Sequence, residues 1–187
     1  MNFQKCILRH CWFIILGALF ACEKQKSRPT CEIPSTDIEY VVAGEYSYPA
    51  FSDVDKAREC SKKTGRPILL IFTCWGCISN PDLSLKILQD EEVKKLVDNN
   101  YLLTTLYIDD KTPLNIIDTT KKTLRGEPIK TIGEKHSTFQ RNQFQKYFQP
   151  FYAIIDHDLN ELTPSIGFVP EMEKSKFIDF LKNGNTQ

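Results

Sequence analysis

The sequence holds little that would anchor it in a bilayer. Its amino-terminal apolar run, Trp12 to Ala21, counts ten uncharged residues, about half of the roughly 20 that a spanning helix needs. An excess of positive charge is also missing. Lysine plus arginine and aspartate plus glutamate number 24 each, which removes the electrostatic reason to expect a nucleic-acid partner. Histidine is scarce, at three residues. His136 and His157 stand alone, and no second cysteine pair follows the first, so no metal site and no cofactor are expected. His136 is at most a loose candidate for copper. Internal repeats and low-complexity segments are absent, which excludes solenoids and arrays.

What the amino end does contain reads as an address. Lys5 and Arg9 make a basic start, the apolar run follows, and Leu19-Phe20-Ala21-Cys22 closes it. The order is that of a secretory signal, and the last four residues resemble the bacterial lipobox. That resemblance implies a signal peptide over residues 1–21 and lipidation of Cys22. The only charged side chains in residues 1–21 are Lys5 and Arg9, so their removal leaves acidic residues two in excess. The composition from Glu23 to about Tyr48 is polar, so residues 22–48 are expected to form a tether and residues 49–187 one folded domain. Four cysteines remain once Cys6, Cys11 and Cys22 are set aside: Cys31, Cys60, Cys74 and Cys77. Two disulfides among them can pair in three ways, and the sequence does not choose. Cys31 is either a free tether thiol or a bridge to Cys60.

Hydrophobic spacing outlines the elements. Tyr40-Val41-Val42 suits a short edge strand. Ser52 with Asp55 resembles a helix-opening capping box, Val54, Ala57 and Cys60 follow on one helical face, and Thr64-Gly65-Arg66-Pro67 ends the helix. Ile68 to Phe72 has no alternation, as in a strand buried on both faces. Leu83 to Asn99 carries a helical stripe, and Tyr101 to Ile108 reads as a strand ending in Asp109-Asp110. Lys111 to Lys130 is irregular. Ser137 to Phe148 is expected to be helical. Pro150 to Ile155 and Glu161 to Thr163 read as strands, and a final helix runs from about Met172 to Leu181. The order fits an α/β protein with a central mixed sheet flanked by helices.

One segment carries chemistry. Thr73-Cys74-Trp75-Gly76-Cys77-Ile78-Ser79 follows the buried strand, and two thiols three residues apart at a strand end form a candidate redox pair. From Phe51 to Leu181 the chain resembles the thioredoxin-like family. Its nearest resemblance is to the carboxy-terminal domain of DsbD-type thiol:disulfide interchange proteins and to free-standing lipoproteins of that kind in Bacteroidetes. The residues that carry this are Phe72 to Leu83, Leu106 to Thr112, Ile129 to Lys135, and Gln149-Pro150-Phe151-Tyr152 leading into Ile154-Ile155-Asp156. The resemblance implies a thioredoxin-like fold, a cis Pro150 facing the cysteines, and Cys77 as attacking thiol. It also shows departures: Asn80 stands at the resolving position, Ile71 where relatives bury an acid, and Cys74 on a family glycine. Asn80 as N-cap with Pro81 at the first helical position is the comfortable helix start.

The resemblance therefore implies a thiol-disulfide oxidoreductase in which Cys77 attacks, Cys74 resolves, and Trp75 with Pro150 forms the docking rim. The opposite order of the two sulfurs is also open. The implied partners are a protein or peptide disulfide, a membrane electron-donor protein, and the membrane itself through the lipid. The implied place is the cell envelope, in the periplasm or at the cell surface. A redox-inactive thioredoxin-like module that binds a peptide is the alternative.

Overall fold

The computed structural model describes residues 31, 38–76, 85–115, 122–123, 125–170 and 173–185. Six strands form one mixed sheet: β1 (Ile38–Ala43), β2 (Tyr46–Phe51), β3 (Ile68–Thr73), β4 (Leu102–Tyr107), β5 (Phe151–Ile155) and β6 (Glu161–Ile166). Their lateral order is β1-β2-β4-β3-β5-β6. Strand β3 lies at the centre, parallel to β4 and antiparallel to β5. Four helices flank the sheet among the described residues: α1 (Val54–Thr64), α2 (Glu91–Asn100), α3 (Ile132–Phe144) and α4 (Lys174–Asn183). This is the α/β architecture, a central mixed sheet flanked by helices, that the order of elements implied.

The missing alternation in β3 has the expected cause. Every residue from Ile68 to Thr73 is buried, because both faces of the sheet are covered. Leu69 and Ile71 join Val93, Val97, Phe177 and Leu181 on the α2 and α4 side. Ile68, Leu70 and Phe72 join Val54, Ala57, Cys60 and Phe144 on the α1 and α3 side. The same period of two runs through β5, with Tyr152 and Ile154 on the first side and Phe151, Ala153 and Ile155 on the second. Phe72 is ringed by Phe139, Phe144 and Phe151 at centroid separations of 5.7–6.0 Å, a tilted and edge-on packing that aromatic quadrupoles favour.

Several boundaries differ from the sequence reading, each for a local reason. The domain starts before residue 49: β1 and β2 form an antiparallel hairpin from Ile38 to Phe51, so the tether expected over residues 22–48 gives way to strand well before its end. The edge strand expected around Tyr40 is β1. Asp53, not Ser52, caps α1, its carboxylate accepting from the N–H of Asp55 at 2.8 Å and of Lys56 at 3.3 Å. Gly65 closes that helix at φ 69°, a left-handed value that glycine adopts without penalty. The helix expected over Leu83–Asn99 is broken at Asp90, which caps α2 by accepting from Glu92 and Val93 N–H groups. A 3₁₀ turn (Ile87–Gln89) precedes it. Helix α3 begins five residues before the expected Ser137, because Thr131 and Glu134 make a complete capping box. It ends at Phe144, where Gln145 turns to φ 56°. The proposed start of a helix at Asn80 and Pro81 lies outside the described residues.

Cys31 and Cys60 are joined as a disulfide with a Cα–Cα distance of 5.5 Å, which settles the alternative left open for Cys31. Cys60 is also a core residue of the α1 side.

Candidate thiol site

Strand register builds the site along one edge of the sheet. At the carboxyl end of β3, Phe72 pairs with Phe151 of β5, and Thr73 pairs with Tyr107 of β4. Cys74 therefore leaves the sheet between the end of β4 and the segment that leads into β5. Pro150 is the last residue of that segment, and the Gln149–Pro150 peptide is cis, the isomer the resemblance implied. Cys74 is 4% exposed and is disulfide-bonded. Cys77 lies outside the described residues, as do Asn80 and Cys22.

Trp75 is 55% exposed and stacks on Tyr107 with ring centroids 4.3 Å apart and planes 22° from parallel. Trp75 and Pro150 thus flank the β3 end from opposite sides, one over β4 and the other before β5. On the Pro150 side, Phe148 is also exposed, at 48%, and meets Phe151 edge-on at 5.7 Å. Burial holds the Tyr107 phenol above its ordinary range, and a hydrogen bond from Trp75 works against that rise.

Three residues that shape this edge were not among the residues expected at the thiol site. Asp109 reaches back to the thiol loop: one carboxylate oxygen accepts from Trp75 N–H at 3.0 Å and the other from Gly76 N–H at 2.7 Å. His136, which the sequence left as an isolated histidine and a loose candidate for copper, is buried on α3 and hydrogen-bonds the Tyr107 carbonyl through Nδ1 at 2.9 Å. A carbonyl only accepts, so Nδ1 carries the hydrogen. Gln140, one helical turn further and 1% exposed, donates to the Phe148 carbonyl at 3.1 Å and accepts from Gln149 Nε2 at 2.9 Å. The Asp109-Asp110 pair at a strand end was the available signal for the first. The i and i+4 spacing of His136 and Gln140 on a helix gave no signal of its own, since polar residues at that spacing usually face water.

Among the described residues no group of three or more cysteine, histidine or acidic side chains is gathered as for a metal ion. No helix of the described residues is long and apolar enough to cross a membrane.

No family model matches the chain, and no curated protein matches it. Several solved structures are similar to the chain, among them the following three. One is described as DsbH Oxidoreductase, at 17% identity, covering 82% of this chain and 90% of that one, with a TM-score of 0.47. Another is a disulphide isomerase from Xylella fastidiosa Temecula1, at 14% identity, covering 69% and 88%, with a TM-score of 0.45. The third is the Neisseria meningitidis DsbD c-terminal domain in the oxidised form, at 17% identity, covering 72% and 98%, with a TM-score of 0.43.

Proposed function

We propose that the protein is a thiol-disulfide oxidoreductase acting on extracytoplasmic protein disulfides through Cys74 and Cys77, held at a membrane by lipid on Cys22. The observation that carries this reading is the position of Cys74: a disulfide-bonded cysteine at the carboxyl end of the central strand, beside the lead-in to β5 that ends in Pro150.

The chemistry runs in two exchanges. The thiolate of Cys77 attacks one sulfur of a client disulfide, the S–S bond of the client breaks, and its departing sulfur takes a proton. Cys74 then loses its proton and attacks the Cys77 sulfur of the mixed disulfide, releasing the second client sulfur as a thiol. The client gains two electrons and two protons. The protein is left oxidised, and a membrane electron-donor protein returns the two electrons. At 4% exposure, Cys74 suits the second step, because a client sulfur reaches a buried sulfur far less readily than an exposed one. Trp75 and Pro150, on either side of the strand end, form the rim against which the client chain lies.

The burial of Cys74 also favours a second reading, a binding module with a permanent disulfide that presents Trp75 to a peptide. Insulin reduction with dithiothreitol as donor separates them. The oxidoreductase reading expects turnover by the parent and loss of at least 100-fold in both Cys74→Ser and Cys77→Ser, within the range by which single active-site groups act. Absence of turnover in the parent supports the binding module.

A further inference from the structure

The carboxylate of Asp109 occupies two consecutive backbone N–H groups, those of Trp75 and Gly76, in the loop that follows Cys74. Adjacent, outward-facing N–H groups just past a strand end are what an anion seeks, whether a carboxylate or a thiolate. Here a fixed carboxylate has taken them. The contact is close: a Cβ on Gly76 would stand 3.2 Å from Asp109 Oδ2, so a side chain there would press on the carboxylate.

Asp109 is also firmly presented. Ile108 N–H donates to the Thr73 carbonyl at 2.9 Å, extending the β3–β4 ladder to the residue before Asp109. Gly133 N–H donates to the Asp110 carbonyl at 3.0 Å. A Cβ at Gly133 would come within 2.5 Å of Asp110 N and 2.6 Å of the Ile108 carbonyl oxygen, so the first turn of α3 is seated directly on the 108–110 backbone. The neighbouring Asp110 is differently employed, accepting from Thr112 N–H at 2.8 Å.

We infer that Asp109 is a positioning residue that sets the redox equilibrium of the Cys74 disulfide, holding it toward the oxidised, strongly reducing side. Two physical effects act in one direction. The carboxylate places a negative charge beside the loop, which disfavours a second negative charge on sulfur. It also removes two N–H donors that would otherwise stabilise a thiolate. A thiolate so disfavoured makes the dithiol form costlier and the disulfide correspondingly harder to reduce. This rests on the thiol-disulfide reading of the site and adds to it a residue that tunes the pair.

The test uses the full chain, equilibrated with glutathione. Two glutathione thiols become one glutathione disulfide while the protein S–S bond takes the two electrons and two protons and opens to two thiols. In Asp109→Asn the equilibrium constant moves toward the dithiol by about tenfold, which is about 30 mV for a two-electron couple. Asp110→Asn, as control, stays within twofold of the parent. On protein reduced with a phosphine, alkylation of the thiols in the 73–79 peptide, followed by mass spectrometry against pH, shifts to lower pH in Asp109→Asn and not in Asp110→Asn. Asp109→Glu, which keeps the charge, remains closer to the parent than Asp109→Asn. An Asp109→Asn protein that matches the parent within twofold in equilibrium and in alkylation profile overturns the inference, as does an equal shift in Asp110→Asn. Where glutathione does not open the disulfide, the alkylation profile alone decides. Insulin reduction reads the function separately, so a protein inactive on insulin whose profile still moves in Asp109→Asn loses the proposed activity and keeps this role for Asp109.

Discussion

His136 is kept neutral by its surroundings. Burial pushes its pKa down, the hydrogen bond to the Tyr107 carbonyl pulls partly the other way, and the charge of Lys135 adds to the depression. Asp53 and Asp110 act weakly in the opposite sense. In the unfolded chain a histidine titrates near about 6.5. Between that value and the lowered folded pKa the unfolded state binds the proton that the folded state refuses, so stability falls as the pH drops through this window. His136→Gln, which keeps a donor for the Tyr107 carbonyl, is expected to be somewhat less stable at pH 7.5 but to lose less on acidification. Thermal midpoints of both proteins at pH 7.5 and 5.5 check this, and equal losses would show that another group titrates. The carboxylates contribute at lower pH. Burial alone would raise Asp53, but the bond and charge of Lys135 at 2.7 Å, with the Lys56 and Asp55 N–H groups, outweigh it and hold the carboxyl below its usual range. That contribution is present above the unfolded carboxyl value and is lost as the pH falls through the lower folded one.

Helix α3 is the element that braces the thiol edge. Its first turn rests on the 108–110 backbone through Gly133, His136 holds the end of β4, and Gln140 holds Phe148 and Gln149 just before Pro150. Both polar side chains are buried, and each is satisfied by a backbone carbonyl, the condition under which a core tolerates them. The helix depends on its amino-terminal box. Thr131 Oγ1 accepts from Glu134 N–H at 3.2 Å, and Glu134 Oε2 accepts from the N–H of Thr131 at 3.1 Å and of Lys130 at 2.7 Å. Thr131→Ala is expected to cost about 1 kcal/mol in urea unfolding. Because the two residues serve one box, the double variant with Glu134→Ala should cost less than the two single losses added together. Strict additivity would mean that the box does not act as a unit.

At the scale of the whole molecule, the Cys31–Cys60 bridge ties the segment before the hairpin to helix α1, across a sequence separation of 29. Closing a loop of that size removes unfolded-state entropy worth about 3 to 4 kcal/mol in the chain-entropy account. Cys31→Ser should lower stability by up to that amount, measured by urea unfolding under non-reducing conditions. A change under about 1 kcal/mol would indicate that the bridge does little for the folded domain. The same bridge adds Cys31 to the α1 side of the core, so the domain extends amino-terminal to the boundary that polar composition suggested.

Much of the fold was legible because its signals are local. The unbroken apolar run of Ile68 to Phe72 states that both sheet faces are covered. The Gly65 stop and the proline-led strand at Phe151 mark their own places. Boundaries were misplaced where a single side chain decides, as with Asp53, Asp90 and Thr131, each of which competes with equally good capping residues nearby. The hairpin from Ile38 to Phe51 was only half visible, since an edge strand needs just one buried face and its outward residues read like a tether. The sequence by itself determined the fold class and the presence of a cysteine pair at the end of a buried strand, because hydrophobic period and residue spacing are written along the chain. Which groups meet that loop was decided by tertiary structure. Asp109, His136 and Gln140 stand 35 or more residues from Cys74 in sequence, and only the strand register and the seating of α3 bring them to the same edge.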